Sequence, residues 1–219
     1  MKTAYVWFLA AALALLAGCV SRKEIRSGDL IFVGIPGDYS LDEDSMDSAI
    51  GASTGDGTLN WIHVGIIEVL EDGPYVIDAT IRRGVDRHPL DTFICDFTLR
   101  DGSLPVFEVK RLRKDASAAG CARASEAFLG LPYDVHFLPD NGEFYCSELV
   151  QASYLDGAGE PLFPSEPMNF KNAEGEMPVY WEQLFALLGE KVPQDTPGTS
   201  PRSLYESPLL RSVPVVFKN

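Results

Sequence analysis

Histidine and cysteine are scarce in this sequence, with three of the first and four of the second among 219 residues. That scarcity limits the chemistry. Cys95, Cys121 and Cys146 are separated by 26 and 25 residues, which does not form the paired knuckles of a structural zinc site, and His88 and His136 stand isolated. No metal or other cofactor is therefore expected. Basic residues are few as well: 18 Lys and Arg face 32 Asp and Glu, for a formal charge of −14. Nucleic acid and anionic membrane surfaces would both repel such a chain, and solubility is the ordinary reason for the excess. An internal repeat is also lacking.

What is present begins at the N-terminus. Met1-Lys2-Thr3 precedes an apolar run from Ala4 to Leu16, too short for a comfortable membrane span and followed by small residues, as in a secretory signal. Leu16-Ala17-Gly18-Cys19 resembles the bacterial lipobox, in which cleavage before the cysteine is followed by acylation of the new terminus. An ordinary signal with a chance cysteine is the plainer alternative. The expected organisation is a lipoprotein signal peptide over 1–18, a lipidated N-terminus and short linker over 19–26, and one domain over 27–219. Acyl chains on Cys19 would hold that domain at the cell envelope, on the periplasmic or extracellular face of a bacterial membrane. Three cysteines are then left, and an odd number in an exported protein leaves at least one thiol free.

Along the domain, Ser27-Gly28-Asp29 is a turn into Leu30-Ile31-Phe32-Val33, a buried strand. From Gly37 to Asn60 the composition is that of a long loop. Trp61–Leu70 and Tyr75–Ala79 are β-branched runs around Glu71-Asp72-Gly73-Pro74, which predicts a hairpin with a four- or five-residue loop and Leu70 opposite Tyr75. Short strands are expected over 84–90 and 104–109. Asp115 caps an alanine-rich helix over 116–129 that stops at Gly130, residues 131–142 are irregular, and 145–155 has helical spacing. The tail is loop-rich, with a short helix over 181–188.

Three residues carry the expected chemistry. Cys146 stands where the irregular segment becomes a helix, so free backbone N–H groups and the helix dipole favour a thiolate, the species that attacks a carbonyl. A lone cysteine at a helix start is also often a packed small hydrophobe. His63 lies in an apolar strand with Gly65 two residues on along the same face, leaving room beside the ring; a core histidine is the alternative. Asp78 is an acid in an apolar run and needs a partner. Its strand parity allows contact with His63, across a gap that twist or a bulge must close. His88 sits in a polar stretch where solvent exposure is expected, and His136 is the rival base.

Phe144-Tyr145-Cys146-Ser147-Glu148-Leu149-Val150 resembles the FDCSGLV segment of the NlpC-type cell-wall peptidases, and Gly28-Asp29-Leu30-Ile31-Phe32 with His63-Val64-Gly65-Ile66 resembles their GDLVFF and HVGI segments. The order is reversed, as in the circularly permuted papain-like amidases of the YiiX/YaeF kind. The resemblance implies an α+β, permuted papain-like fold: a small antiparallel, barrel-like sheet packed against helices. It places the nucleophile on Cys146, the base on His63 and the orienting acid on Asp78, where relatives commonly carry glutamate. Tyr133 falls on a tyrosine that would contact the oxyanion; a structural tyrosine under the loop is equally consistent with its position. The implied activity is hydrolysis of an amide or ester through an acyl-enzyme, on a peptide or small amide that could derive from peptidoglycan. The membrane is met through the N-terminal lipid. A lipid-directed acyltransferase or thioesterase and a silent binding module are the alternatives.

Overall fold

A computed structural model describes residues 25–55, 58–114, 117–215 and 217. Cys19 and the whole expected signal, with residues 19–24 of the linker, lie outside the described residues, as do Asp115 and Ala116 at the start of the expected alanine-rich helix.

Among the described residues, six strands form one antiparallel sheet in the order β4-β3-β2-β1-β5-β8, with β4 and β8 at its edges. β1 (Leu30–Pro36) and β2 (Leu59–Leu70) occupy the centre. Both read as near-continuous apolar runs because both faces of the sheet are covered. Alternate residues divide between two cores. Leu30, Phe32, Val64 and Ile66 pack with Cys121 and Ala122 of α3 (Ala118–Ser125) and Leu149 and Val150 of α4 (Cys146–Ser153). Ile31, Val33, Ile67 and Val76 pack on the other side with Phe93 of α2 (Leu90–Asp96).

The Gly28-Asp29 turn is fixed by packing and charge together. Gly28 has φ 84°, and a Cβ there would meet the Ala118 carbonyl oxygen at 2.1 Å, so only glycine lets α3 lie this close. Asp29 is buried and accepts from Arg111 of β5 (Val106–Leu112) through Nε at 2.6 Å and an Nη at 2.8 Å. This motif therefore joins the central strand to β5.

The hairpin between β2 and β3 (Gly73–Thr80) is tighter than the sequence suggested. Leu70 pairs with Gly73, leaving a two-residue Glu71-Asp72 turn. Gly73 adopts φ 143°, open to glycine alone, so β3 starts at once. Relative to the expected pairing, β3 slides by two residues, which keeps its parity and carries Asp78 alongside Gly65. A second irregularity lies in β2 itself. Val33 pairs with His63 but Gly34 pairs with Trp61, so Ile62 is an extra, bulged residue beside the histidine, and bulges re-aim neighbouring side chains. β4 (Gly84–Pro89) completes this end of the sheet.

Several elements were not read in the sequence. The expected loop over 37–60 contains α1 (Met46–Thr54), whose cap Ser45 accepts from the Ser48 N–H at 3.2 Å. It was hidden because only Ala49 and Gly51 of that helix are buried. α2 follows β4 directly after Pro89. β8 (Leu210–Val213) rises from the tail to pair with β5. The expected helix over 116–129 is α3 followed by a 3-10 turn at Glu126–Phe128. The tail also holds a two-residue ribbon, β6 (Glu166–Pro167) with β7 (Pro197–Gly198), and two helices, α5 (Val179–Leu188) and α6 (Pro201–Tyr205). Phe185 and Trp181 of α5 pack with Phe137, Tyr145 and Phe170 in a third core beside the start of α4.

Candidate active site

Cys146 is the first residue of α4 and is 4% exposed. The free N–H groups of that helix end surround its position. Glu148, two residues further, accepts from the Tyr145 N–H at 3.4 Å. Burial, aided by the nearby charge of Asp134, pushes the Glu148 carboxyl up to about 8.

His63 is also buried, its ring 4.8 Å from that of Phe97 and 5.9 Å from that of Phe93. Its Nε2 lies 2.7 Å from Oδ2 of Asp78, itself 1% exposed. Gly65 makes this contact feasible. A Cβ at that position would stand 2.4 Å from Val76 Cγ1 and 3.4 Å from Asp78 Cβ, so glycine lets β3 and its acid press against the histidine strand. With Nε2 engaged by Asp78, Nδ1 is the nitrogen left for the thiol. Burial works against a charged imidazole here, but the charge of a Cys146 thiolate and hydrogen bonds from Asp78 and Cys146 outweigh it, raising His63 from 6.5 to about 10. The arrangement thus brings together a thiol, an imidazole and a carboxyl group, the set that a nucleophile, its base and an orienting acid would need.

A cavity of about 250 Å³ opens on Cys146 and His63, lined also by Met46, Asp47, Phe97 and Tyr133. A second, of about 40 Å³, reaches Cys146 from the side of Phe137, Tyr145 and Trp181. Tyr133 borders both, and its hydroxyl points to Met46 Sδ at 3.7 Å. Burial, together with the charge of Cys146, holds its phenol well above the usual range, so it stays a neutral donor. Asp47 was missed in the sequence. Burial raises its carboxyl while the His63 charge pulls it down. The signal that could have found it is Ser45-Met46-Asp47-Ser48, a capping serine followed by an acid in the first turn.

The other histidines and cysteines sort cleanly. His136 is partly exposed, pairs through Nδ1 with Glu190 at 2.9 Å and borders neither cavity at Cys146. His88 corrects an expectation: it is 6% exposed, not solvated, because β4 places it under Phe93, whose ring stacks on it at 6.1 Å and 17°. Cys95, Cys121 and Cys146 are all free thiols, Cys95 exposed and Cys121 buried. Among the described residues, no group of three or more His, Cys, Asp or Glu side chains is placed to hold a metal ion.

Comparison with known proteins agrees with this fold. The uncharacterized protein YiiX of Escherichia coli strain K12 is 25% identical over 195 residues, which cover 86% of this chain and 85% of that protein. The crystal structure of the metalloprotein YiiX from Escherichia coli O157:H7 has the same fold, with a TM-score of 0.64 at 23% identity, covering 89% of this chain and 99% of that one. Residues 24–214 match the sequence model of the permuted papain-like amidase enzymes, the YaeF/YiiX or C92 family, and the chain belongs to that family.

Proposed function

We propose that this chain is a cysteine amidase in which Cys146 is the nucleophile, His63 the base and Asp78 the acid that orients it. The carrying observation is the buried 2.7 Å contact between His63 and Asp78 beside a thiol at a helix start. His63 takes the thiol proton and the thiolate adds to the amide carbonyl. The resulting oxyanion is met by the Cys146 backbone N–H and the neutral phenol of Tyr133. His63 returns its proton to the leaving amine as the tetrahedral intermediate collapses to an acyl-enzyme. Water, deprotonated by His63, then releases the acid and restores the thiol.

The substrate we propose is a peptide amide of the cell wall. Support comes from the resemblance of residues 144–150 to cell-wall peptidases and from the lipobox-like Leu16-Ala17-Gly18-Cys19, which would tether the enzyme at the envelope where such peptides occur. The lipid-directed alternative needs a tunnel for an acyl chain, and the apolar cavity of about 40 Å³ beside Trp181 holds only about three water-sized groups. A test incubates the purified protein with peptidoglycan-derived peptides and follows new amines and acids by mass spectrometry. Product formation that vanishes in Cys146→Ala is expected, along with a covalent acyl adduct on Cys146 in rapidly quenched samples. Turnover by Cys146→Ala equal to wild type would refute the nucleophile. For the anchor, mass spectrometry of the mature terminus should find an acylated Cys19; an unmodified terminus at another residue would refute it.

A further inference from the structure

Asp78 has two carboxylate oxygens and the mechanism above uses one. Oδ2 meets His63, while Oδ1 is buried without a hydrogen-bond partner. On that side Nδ1 of His88 lies 3.8 Å away. His88 is in the same condition: both of its ring nitrogens are buried and unpartnered. Three unsatisfied polar atoms thus sit on two adjacent side chains. Burial without a partner is costly for each, so a fold that brings them together has a use for the contact.

The sheet explains the arrangement. Asp78 pairs with Asp86 across β3 and β4, and His88 is two residues beyond Asp86 on the same face. His63 stands diagonally opposite on β2, so Asp78 is flanked by one imidazole from each neighbouring strand. Phe93 covers both rings, 5.9 Å from His63 and 6.1 Å from His88. The charged groups facing His88 are Asp78 and Asp86, the latter with Oδ2 at 3.6 Å from Nδ1. Behind them Arg83 lies 3.8 Å from Asp86 and 2.6 Å from Asp96 of α2.

We propose that His88 is a positioning residue, a second imidazole whose Nδ1–H holds Oδ1 of Asp78 and so fixes the carboxylate that orients His63. Closing the gap from 3.8 Å to hydrogen-bond length takes less than 1 Å of ring movement. With a proton on Nδ1, His88 donates to Asp78 and keeps Oδ2 turned toward His63. Held on both sides, the carboxylate cannot rotate away when His63 becomes charged. The inference rests on the Cys146–His63–Asp78 reading, and the test separates the two.

Two variants and two readouts suffice. His88→Leu removes the donor within apolar surroundings; His88→Asn keeps an N–H near the place of Nδ1. Turnover on the amide substrate and NMR titration of the His63 ring, which needs no substrate, are measured on each. His88→Leu is expected to lose about 10- to 100-fold in kcat with little change in KM, the factor carried by a hydrogen bond to a charged group. Its His63 should titrate below the wild-type value of about 10, since Asp78 supports the charged ring less well. His88→Asn should restore both to near wild type. A His88→Leu protein with wild-type kcat and an unmoved His63 titration overturns the proposal, even if its melting temperature falls. If leucine prevents folding, Asn is compared with Gln, whose amide lies nearer the place of Nε2; equal turnover for the pair overturns the proposal and better turnover for Asn supports it. Wild-type turnover in Cys146→Ala or His63→Ala would refute the underlying triad, and the role of His88 with it.

Discussion

Asp78→Asn is the most informative single change. The carboxylate receives His63 Nε2 at 2.7 Å with both groups buried, so its hydrogen bond carries charge in a site largely closed to water. A bond of that kind is worth about 1.5–3 kcal/mol, or about 10- to 150-fold in rate. An amide does further harm. Its NH2 can face Nε2, forcing the ring proton onto Nδ1, the nitrogen needed to accept from the thiol; the same error in a serine triad costs about 10⁴-fold. Turnover should therefore fall by about 10²- to 10⁴-fold with the fold intact by circular dichroism. The pH profile supplies a second reading. His63 is raised from 6.5 to about 10, with Asp78 among the causes that raise it, so the alkaline limb of kcat/KM should move to lower pH in the variant. Stability has the same sign. A histidine raised in the folded state stabilises fully below pH 6.5, and that contribution is lost as pH rises through about 10. The variant should thus lose more melting temperature at pH 6 than at pH 10.5. Unchanged turnover with an unmoved alkaline limb would remove Asp78 from the site and leave a dyad.

Three further outcomes are expected. Gly65→Ala puts a methyl group 2.4 Å from Val76 Cγ1; parting β2 from β3 should cost about 1–3 kcal/mol, read as roughly 2–4 °C of melting temperature per kcal/mol, and should lower kcat by loosening the His63–Asp78 contact. Tyr133→Phe should fold normally and lose about 10²- to 10³-fold in kcat if the phenol meets the oxyanion, whereas a role confined to its Met46 contact predicts wild-type turnover. Iodoacetamide at neutral pH should modify Cys146 well before Cys121, whose thiol is pushed up by burial, and before exposed Cys95. Peptide mapping with equal rates at all three would contradict an activated Cys146.

The central strands were legible because burial on both faces leaves an unmistakable apolar run at Leu30–Val33 and Trp61–Leu70. The cysteine helix was legible for a similar reason, the spacing of Leu149, Val150 and Tyr154 onto the core. The His63–Asp78 contact was only half legible. Parity fixed the face, but the distance depended on Gly73 taking a positive φ and on Ile62 being bulged, and neither leaves a pattern in hydrophobicity. α1 escaped because its sequence, Met46-Asp47-Ser48-Ala49-Ile50-Gly51, is dominated by small and polar residues that also suit a loop. The burial of His88 was illegible from its neighbours, Arg87 and Pro89. Its cover comes from α2, and Arg87 turns away to pair with Glu68 at 2.9 Å.

The C-terminal tail bears on when the site comes into being. The Tyr145 hydroxyl accepts from the Thr199 N–H at 3.1 Å and the Ser147 hydroxyl donates to the Thr199 carbonyl at 3.2 Å, so the residues on either side of Cys146 are seated by a segment more than fifty positions later. A ribosome delivers the histidine and its acid first, the cysteine second and this strap last. The β2–β3 hairpin can close while the chain is still being made, whereas the start of α4 has no finished seat until Thr199 arrives. The cysteine therefore waits on a segment made well after it, and the seat of its helix is completed only once that strap has been synthesised.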